Sequence, residues 1–123
     1  MMIDRHGRTW NTRPERQFDE YQKSRLMGLV QNVKLPFAGW TFQLDFALPS
    51  NETWTVDYEI DGPNHDSGRN VAKDEWKDRL KAEQGMKVIH IGAELTQRKW
   101  WDYLDAAIPK ALLSPSSAVY ISQ

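Results

Sequence analysis

The strongest pattern in the chain is an alternation of apolar and polar residues in two neighbouring segments. In TFQLDFAL (41–48), every second residue is large and apolar, and Asp45 belongs to the opposite set. The alternation returns in TWTVDYEID (53–61), where Glu59 and Asp61 belong to the polar set. A period of two is typical of a strand with one buried face. Because a few turn-forming residues separate the segments, they are predicted to form an antiparallel hairpin.

Segments whose apolar residues recur at helical intervals lie on both sides of this hairpin in the sequence. One helix is predicted from about residue 12 or 13, with a broken apolar stripe that reaches Val30. A second covers about 70–84, with Gly85 at its C-cap, and a short apolar strand follows it. A last helix is expected from about Thr96, and we expect Pro109 to end or kink it.

The order helix, strand, strand, helix, strand, helix predicts an α/β fold, in which a small mixed sheet with an antiparallel hairpin is flanked by helices. We expect an irregular basic N-terminal arm (1–12), one folded domain (13–113) and a C-terminal tail (114–123). The tail is predicted to contain at most a short extended piece.

The amino-acid composition excludes several kinds of functional site. Hydrophobic residues make up 40% of the 123 residues, which is enough for a buried core in one domain. The chain contains no cysteine, which excludes disulfides, thiolate-bound zinc and a thiol nucleophile. No apolar run is long enough to span a membrane, and the N-terminus lacks the apolar stretch of a signal peptide. We therefore expect a cytoplasmic protein without a membrane partner.

The charges are unevenly distributed, although the formal net charge is only −1. Residues 1–25 are rich in arginine, whereas 45–66 contain many acidic residues and no lysine or arginine. This distribution suits a protein that approaches phosphate groups through metal ions. It also suits an ordinary mixed surface, and composition alone leaves both interpretations open.

The acidic residues of the hairpin are the main functional candidates. Both strands must turn their apolar faces to one core, so Asp45, Glu59 and Asp61 are expected on the same side, with paired Cβ atoms about 5 Å apart. Such carboxylates repel each other unless cations or bound protons neutralise them. Mg²⁺ binds such groups together with water and phosphate oxygens. The alternative is that they only solvate an exposed face of the sheet.

Three segments carry a family resemblance: LDFALP, YEIDGPNHD and KDRLKAEQGMKVIHI. In this order they resemble the catalytic core of the PD-(D/E)xK nuclease superfamily, and most closely its very-short-patch-repair-type endonucleases. The resemblance covers about residues 13–95. It implies a restriction-endonuclease-like fold and a Mg²⁺-dependent endonuclease that hydrolyses phosphodiester bonds in DNA, with Mn²⁺ as an alternative ion.

The same resemblance assigns roles to individual residues. Asp45 resembles the first metal-binding aspartate, and Glu59 resembles the acidic residue of the second motif. Asp61 stands where many members have a lysine, and we expect it to contribute to the metal site. Glu15 is expected to assist metal binding from the first helix, and the carbonyl group of Ile60 is expected to be a further ligand.

Because Asp61 stands in place of a lysine, the usual charged partner of the attacking water is missing. Lys77 or Lys73 could supply that charge from the second helix, and His65 could act as the base, since the ordinary pKa of histidine is about 6.5. His90, in the strand after the second helix, is expected to be a structural histidine. The catalytic residues are thus predicted to be Asp45, Glu59, Asp61, His65 and Lys77.

Basic residues are expected to hold the DNA backbone through its phosphates. The residues chosen for this role are Arg5, Arg8, Arg13, Lys73 and Lys77. A floppy charged arm is the alternative for the arginines near the N-terminus. For Lys73, Lys77 and Lys81, which are spaced by four, the default interpretation is a solvated helix face.

The expected partner is DNA recognised by its shape: a nick, a mismatch, a branch or a Holliday junction. A homodimer would suit a symmetric junction. Two interpretations from other functional classes remain. One is a non-catalytic nucleic-acid-binding or assembly module with the same fold, and the other is a small protein-interaction domain.

Overall fold

The computed structural model describes residues 2–3, 9–10, 13–37, 39–62 and 68–122, and it describes side chains in 13–37, 39–62 and 75–122. The helices and strands in chain order are β1 (Met2–Ile3), β2 (Thr9–Trp10), α1 (Arg13–Ser24), β3 (Val30–Phe37), β4 (Trp40–Ser50), β5 (Thr53–Asp61), α2 (Gly68–Glu83), β6 (Lys87–Gly92), α3 (Trp101–Leu113) and β7 (Ala118–Ile121). Two short 3₁₀ turns, Ala93–Thr96 and Arg98–Trp100, connect β6 to α3.

Five strands form one mixed sheet in the order β3-β4-β5-β6-β7. β3, β4 and β5 are antiparallel neighbours, whereas β6 runs parallel to β5 and β7 runs parallel to β6. Parallel neighbours need long connections, and here α2 and α3 make the two crossovers. The mixed α/β class predicted from the sequence is confirmed.

Two apolar clusters pack against opposite faces of this sheet. Phe46 and Ala47 are consecutive in β4 and belong to different clusters, because side chains alternate across a strand. The first cluster contains Phe18 of α1 and Trp101 of α3, and the second is packed by Trp76 of α2. Among the helices that the structure describes, none is both long and apolar enough to cross a membrane.

The far half of the β3–β4 hairpin, which we call the hairpin arm (33–44), extends beyond the sheet. The register of β4 with β5 begins at Phe46, whereas its pairing with β3 continues to the tip. Phe42 and Leu44 lie in the second cluster, although Phe46 lies in the first. The sequence predicted that the alternating apolar side chains of 41–48 all face one core, and this prediction is wrong. The change of face falls between Leu44 and Phe46, where the facing strand has Asn32 at a φ of 55°.

β3 is a strand that the sequence did not predict. The first helix ends at Ser24, and the chain turns through Leu26 and Gly28, both at positive φ, before β3 begins. Val30, which was assigned to the helical stripe, is the first residue of that strand. Pro36 is compatible with β3 because this strand lies at the edge of the sheet, where one side of the backbone needs no strand partner.

Both ends of the chain contain more regular structure than the sequence predicted. α3 does not end at Pro109 but continues to Leu113, held on the sheet by the buried Leu104 and Ile108. The segment predicted as a tail contributes β7, which agrees with the extended piece expected at 119–121; it pairs with β6 and buries Ile121 in the first cluster. At the N-terminus, where an irregular arm was predicted, β1 and β2 pair in antiparallel fashion.

The packing of the first cluster can be tested at Phe18, which is fully buried and makes ring contacts with Tyr21, Phe46 and Tyr58. Phe18→Ala is expected to lower the free energy of unfolding by about 3–5 kcal/mol, because it removes a ring that the neighbours cannot replace. Urea denaturation measures this change. Leu113→Ala, at a side chain that is 85% exposed, is the control. A loss below about 1 kcal/mol for Phe18→Ala would contradict the packing.

Candidate active site

The structure brings Asp45 and Glu59 together across β4 and β5. The backbone N–H of Asp45 donates to Oε2 of Glu59 at 3.2 Å, and the backbone N–H of Ile60 donates to Oδ2 of Asp45 at 2.9 Å. Each carboxylate therefore binds to the backbone of the opposite strand. This crossed arrangement fixes both side chains at the base of the hairpin arm.

Burial and mutual repulsion set the protonation of this pair. Burial raises the pKa of Asp45 to about 9, and the charges of Glu59 and Glu15 act in the same direction. Glu15 is buried on α1. Burial alone would also raise the pKa of Glu59, but Lys81 and the hydrogen bonds of Asp45 outweigh it and lower that pKa. Without a metal, the neutral-pH site thus carries a proton on Asp45 and a charge on Glu59.

The cation beside this acidic pair is Lys81 of α2, whose side chain is buried. Its Nζ lies 2.7 Å from Oδ2 of Asp57 and 3.0 Å from Oε1 of Glu59. Burial would lower the pKa of Lys81, but these two carboxylates raise it instead, so the amine stays charged. Burial raises the pKa of Asp57 well above its ordinary value, although Lys81 acts against this. Oδ1 of Asp57 has no hydrogen-bond partner among the described residues.

A second group of charges lies beside the first and centres on His90. Its Nδ1 lies 3.0 Å from Oδ2 of Asp61, and its Nε2 lies 2.7 Å from Oδ2 of Asp78. Burial would lower the pKa of His90, but the hydrogen bonds to both carboxylates raise it to about 10. The ring stacks on Tyr120 at 4.4 Å between centroids. With both ring nitrogens donating, His90 is a cation that cannot serve as a general base.

These groups line one open cleft of about 490 Å³. Asp45, Glu59 and Asp61 form its acidic wall, and α2 contributes Lys77 and Lys81. The volume lies in the usual range of ligand pockets, about 300–1,000 Å³. The cleft therefore presents carboxylate oxygens and ammonium groups to the same space, as a site for a metal-bound phosphate would require.

Asp45 and Glu59 are the side chains best placed to bind a metal ion. Within 13–37, 39–62 and 75–122, no group of three or more acidic or histidine side chains is arranged to hold one. Mg²⁺ is commonly held by one or two carboxylates together with water and substrate phosphate, so a third side chain is not required. Ile60 also lines the cleft and could add its carbonyl oxygen. Asp61 is bonded to His90 instead.

The other residues chosen from the sequence fall in different places. Lys77 lines the cleft with the carboxylates. Arg13 begins α1 and lines a separate hollow with Arg98 and Lys99. Outside the described residues lie Arg5, Arg8, His65 and the side chain of Lys73, whose backbone belongs to α2.

The sequence analysis did not assign Lys81 to the site. It was interpreted as part of a solvated stripe with Lys73 and Lys77, and that interpretation is wrong for Lys81, which is 2% exposed. The spacing of four did place Lys81 on the same helix face as Lys77, which lines the cleft. No local signal distinguishes Lys81 from Lys73 and Lys77 in the sequence, because only the packing of α2 on β5 buries the last lysine of the stripe.

Comparisons with known proteins add no assignment. No family model matches the chain, and no curated protein or solved structure matches it. The site is therefore interpreted from its own geometry and chemistry.

Asp45→Asn tests the protonation of the site. The folded-state pKa of Asp45, about 9, lies above its ordinary value of 3.8, so the folded protein keeps a proton that the unfolded chain loses. The stability contributed by this group is present at low pH and is lost as the pH rises from about 4 to about 9. In EDTA, Asp45→Asn is expected to be more stable than wild type by at least about 1 kcal/mol near pH 8, and this difference should shrink towards about pH 4.

The same variant separates a proton site from a metal site. Addition of Mg²⁺ is expected to raise the thermal midpoint of the wild type but not that of Asp45→Asn, because a ligand stabilises only the state that binds it. Equal stability of the two proteins in EDTA at every pH would contradict the raised pKa. Equal responses to Mg²⁺ would contradict metal binding at Asp45.

Lys81→Met tests the ion pair beneath the site. Removal of the ammonium leaves Asp57 and Glu59 buried without their cation, and the expected loss is about 3–5 kcal/mol in the free energy of unfolding at neutral pH. The double variant Lys81→Met with Asp57→Asn should recover part of this loss. Lys110→Met, at an exposed lysine of α3, is the matched control. A loss for Lys81→Met no larger than that of the control would show that the buried ion pair does not form.

Proposed function

We propose that the protein is a metal-dependent DNA endonuclease with a restriction-endonuclease-like fold. The observation that carries the proposal is the crossed pair of Asp45 and Glu59 in the wall of an open cleft, with a raised pKa at Asp45. A buried acid pair of this kind gains from a cation that replaces the bound proton. The order of helix, DF strand, ExD strand, helix and strand agrees with what the family resemblance implies.

Asp45, Glu59 and the carbonyl group of Ile60 would hold Mg²⁺ or Mn²⁺, with Glu15 adding negative charge from α1. A divalent ion in such a site supplies a water of lowered pKa and neutralises charge on the phosphate under attack. The backbone N–H groups of Ile60 and Asp45 fix the two carboxylates through their hydrogen bonds. Asp45 must release its proton for the ion to bind, so metal binding competes with protonation.

Lysines of α2 supply the positive charge that a lysine at position 61 would have given. Lys81 keeps Glu59 ionised from 3.0 Å and acts as a positioning residue. Lys77 lines the cleft without an ion pair to any described residue, and we assign it to the substrate phosphate or the attacking water. Asp61 is held by His90, which supports a positioning role for it. His65 keeps its proposed role as the base.

The DNA would contact Lys77 in the cleft and basic residues near the first turn of α1. The first turn of α1 lies near the acidic pair, since Glu15 acts on Asp45. At the same end of α1, Arg13 lines a hollow together with Arg98 and Lys99. These three residues would bind phosphates of the DNA backbone. We propose recognition of a nick, mismatch, branch or junction, with a homodimer for symmetric junctions.

A non-catalytic nucleic-acid-binding module of the same fold is the second candidate. The observation that favours it is the ion pair of Lys81 with Glu59, which already supplies one positive charge to the cluster. The His90 bonds of Asp61 likewise reduce the number of carboxylates free to bind a metal. In that case DNA would bind in the cleft but would not be cut.

Cleavage assays distinguish the two candidates. The purified protein is incubated with supercoiled plasmid, mismatched duplex and branched DNA in Mg²⁺, Mn²⁺ or EDTA. We expect cleavage in either metal and none in EDTA. Asp45→Asn should lower the rate at least about 100-fold, because the ion then has only one carboxylate. Glu52→Gln, at an exposed acid in the β4–β5 turn, is the matched control and should leave the rate unchanged.

The lysine assignment is tested in the same assay. Lys77→Ala and His65→Ala are each expected to lower the rate at least about tenfold while the thermal midpoint stays near that of the wild type. Lys110→Ala controls for the loss of one positive charge. DNA binding without cleavage in any metal would favour the non-catalytic module, and wild-type rates in both variants would contradict the roles of Lys77 and His65.

A further inference from the structure

In the described part of the chain, three aromatic side chains line the same cleft as the carboxylates. Trp40 stands at the tip of the hairpin arm and lines the same cleft as Asp45. Its ring centroid lies 5.0 Å from that of Trp76 on α2, at an interplanar angle of 81°. Trp76 in turn makes an edge contact with Phe42, at 6.2 Å between centroids. Phe42 is buried in the second cluster, so this row of rings is anchored at its inner end.

Trp40 is the exposed end of this row. Its side chain is 55% exposed, although tryptophan is among the residues that gain most from burial. An edge-to-face contact covers at most one face of a ring, so the contact with Trp76 leaves the other face of Trp40 open. The pairing of Trp40 with Phe37 at the end of β3 holds its backbone in a strand. Trp40 is therefore a fixed aromatic surface turned towards the cleft.

Trp40 and Asp45 belong to the same strand, β4, so their spacing in the sequence limits the distance between them. They are five positions apart in an extended strand, which corresponds to at most about 17 Å between their Cα atoms. A stacked DNA strand advances about 3.4 Å per nucleotide, so the interval corresponds to about five nucleotides or fewer. Lys77 lines the same cleft and offers a positive charge to phosphates of that strand.

We infer that Trp40, backed by Trp76, is a stacking site for an unpaired DNA base. This inference rests on the proposed function, since it takes DNA as the molecule in the cleft. Every base has a π face, and aromatic stacking is tolerant of sequence, so the site would select an extruded base rather than a particular one. Bases inside a duplex are already stacked on their neighbours. The substrate class is therefore DNA with an unpaired base within about five nucleotides of the cut.

The test compares two short duplexes of one sequence, one fully paired and one with a single extra, unpaired 2-aminopurine. Affinity is measured by fluorescence anisotropy, with Ca²⁺ in place of Mg²⁺ to keep the DNA intact, and 2-aminopurine emission reports stacking. The wild type is expected to bind the bulged duplex about tenfold more tightly and to quench its emission, because base–aromatic stacking contributes on this scale.

Three variants locate the effect. Trp40→Leu should abolish both the preference for the bulged duplex and the quenching, because leucine has no ring on which a base can stack. Trp40→Phe keeps a ring and should retain most of the preference. Tyr103→Leu, at a 41% exposed aromatic residue of α3 outside the cleft, is the control and should behave as wild type. Thermal midpoints of all variants are measured to establish that each is folded.

The outcomes separate this inference from the proposed function. An unchanged preference in Trp40→Leu, or equal binding of both duplexes by the wild type, overturns the stacking site even if Mg²⁺-dependent cleavage is found. A preference that depends on Trp40 supports the stacking site even if no DNA is cut, in which case only the nuclease function fails. Absence of DNA binding overturns both.

Discussion

The burial of acidic side chains on β5 is the constraint on which the rest of the site depends. Asp57 is shielded from water and Glu59 lies beside it on the same face of the sheet, so both would repel each other without a nearby cation. Lys81 meets both carboxylates and thereby fixes α2 over β5. Because Lys77 lies one turn earlier on the same helix face, the ion pair also sets its position in the cleft.

The parallel arrangement of β6 provides the second attachment of α2. His90 lies beside Glu59 in the register of the two strands, where it reaches Asp61 of β5 and Asp78 of α2. Helix and sheet are thus joined by two charged contacts, and each of them joins groups of opposite sign in a buried setting. Both ring nitrogens of His90 are bonded to carboxylates, and this bonding favours a cleft wall of fixed geometry.

The hairpin arm connects the acidic end of the cleft with the aromatic end. The break in alternation beside Asn32 turns Phe42 and Leu44 towards α2, and Asp45 lies at that break. The same irregularity therefore exposes a carboxylate to the cleft and folds the arm over the helix. A regular strand would have kept the large apolar residues of β4 in one cluster and would not have packed Phe42 against Trp76 of α2.

The amino-acid sequence by itself determined the two alternating strands, the shared side of Asp45 and Glu59, the second helix and its end at Gly85, because periodicity and turn chemistry are local properties. Tertiary structure decided the remainder. β7 is a four-residue strand that forms by pairing with β6. β3 alternates at Val33, Leu35 and Phe37, but Pro36 argues against a strand unless that strand lies at a sheet edge, and only the tertiary structure shows that it does. The spacing of four placed Lys81 on a helix face, but only the packing of α2 against β5 decided that this lysine meets carboxylates rather than water. The raised pKa of Asp45 has the same origin, since burial and neighbouring charges exist only once the chain has folded.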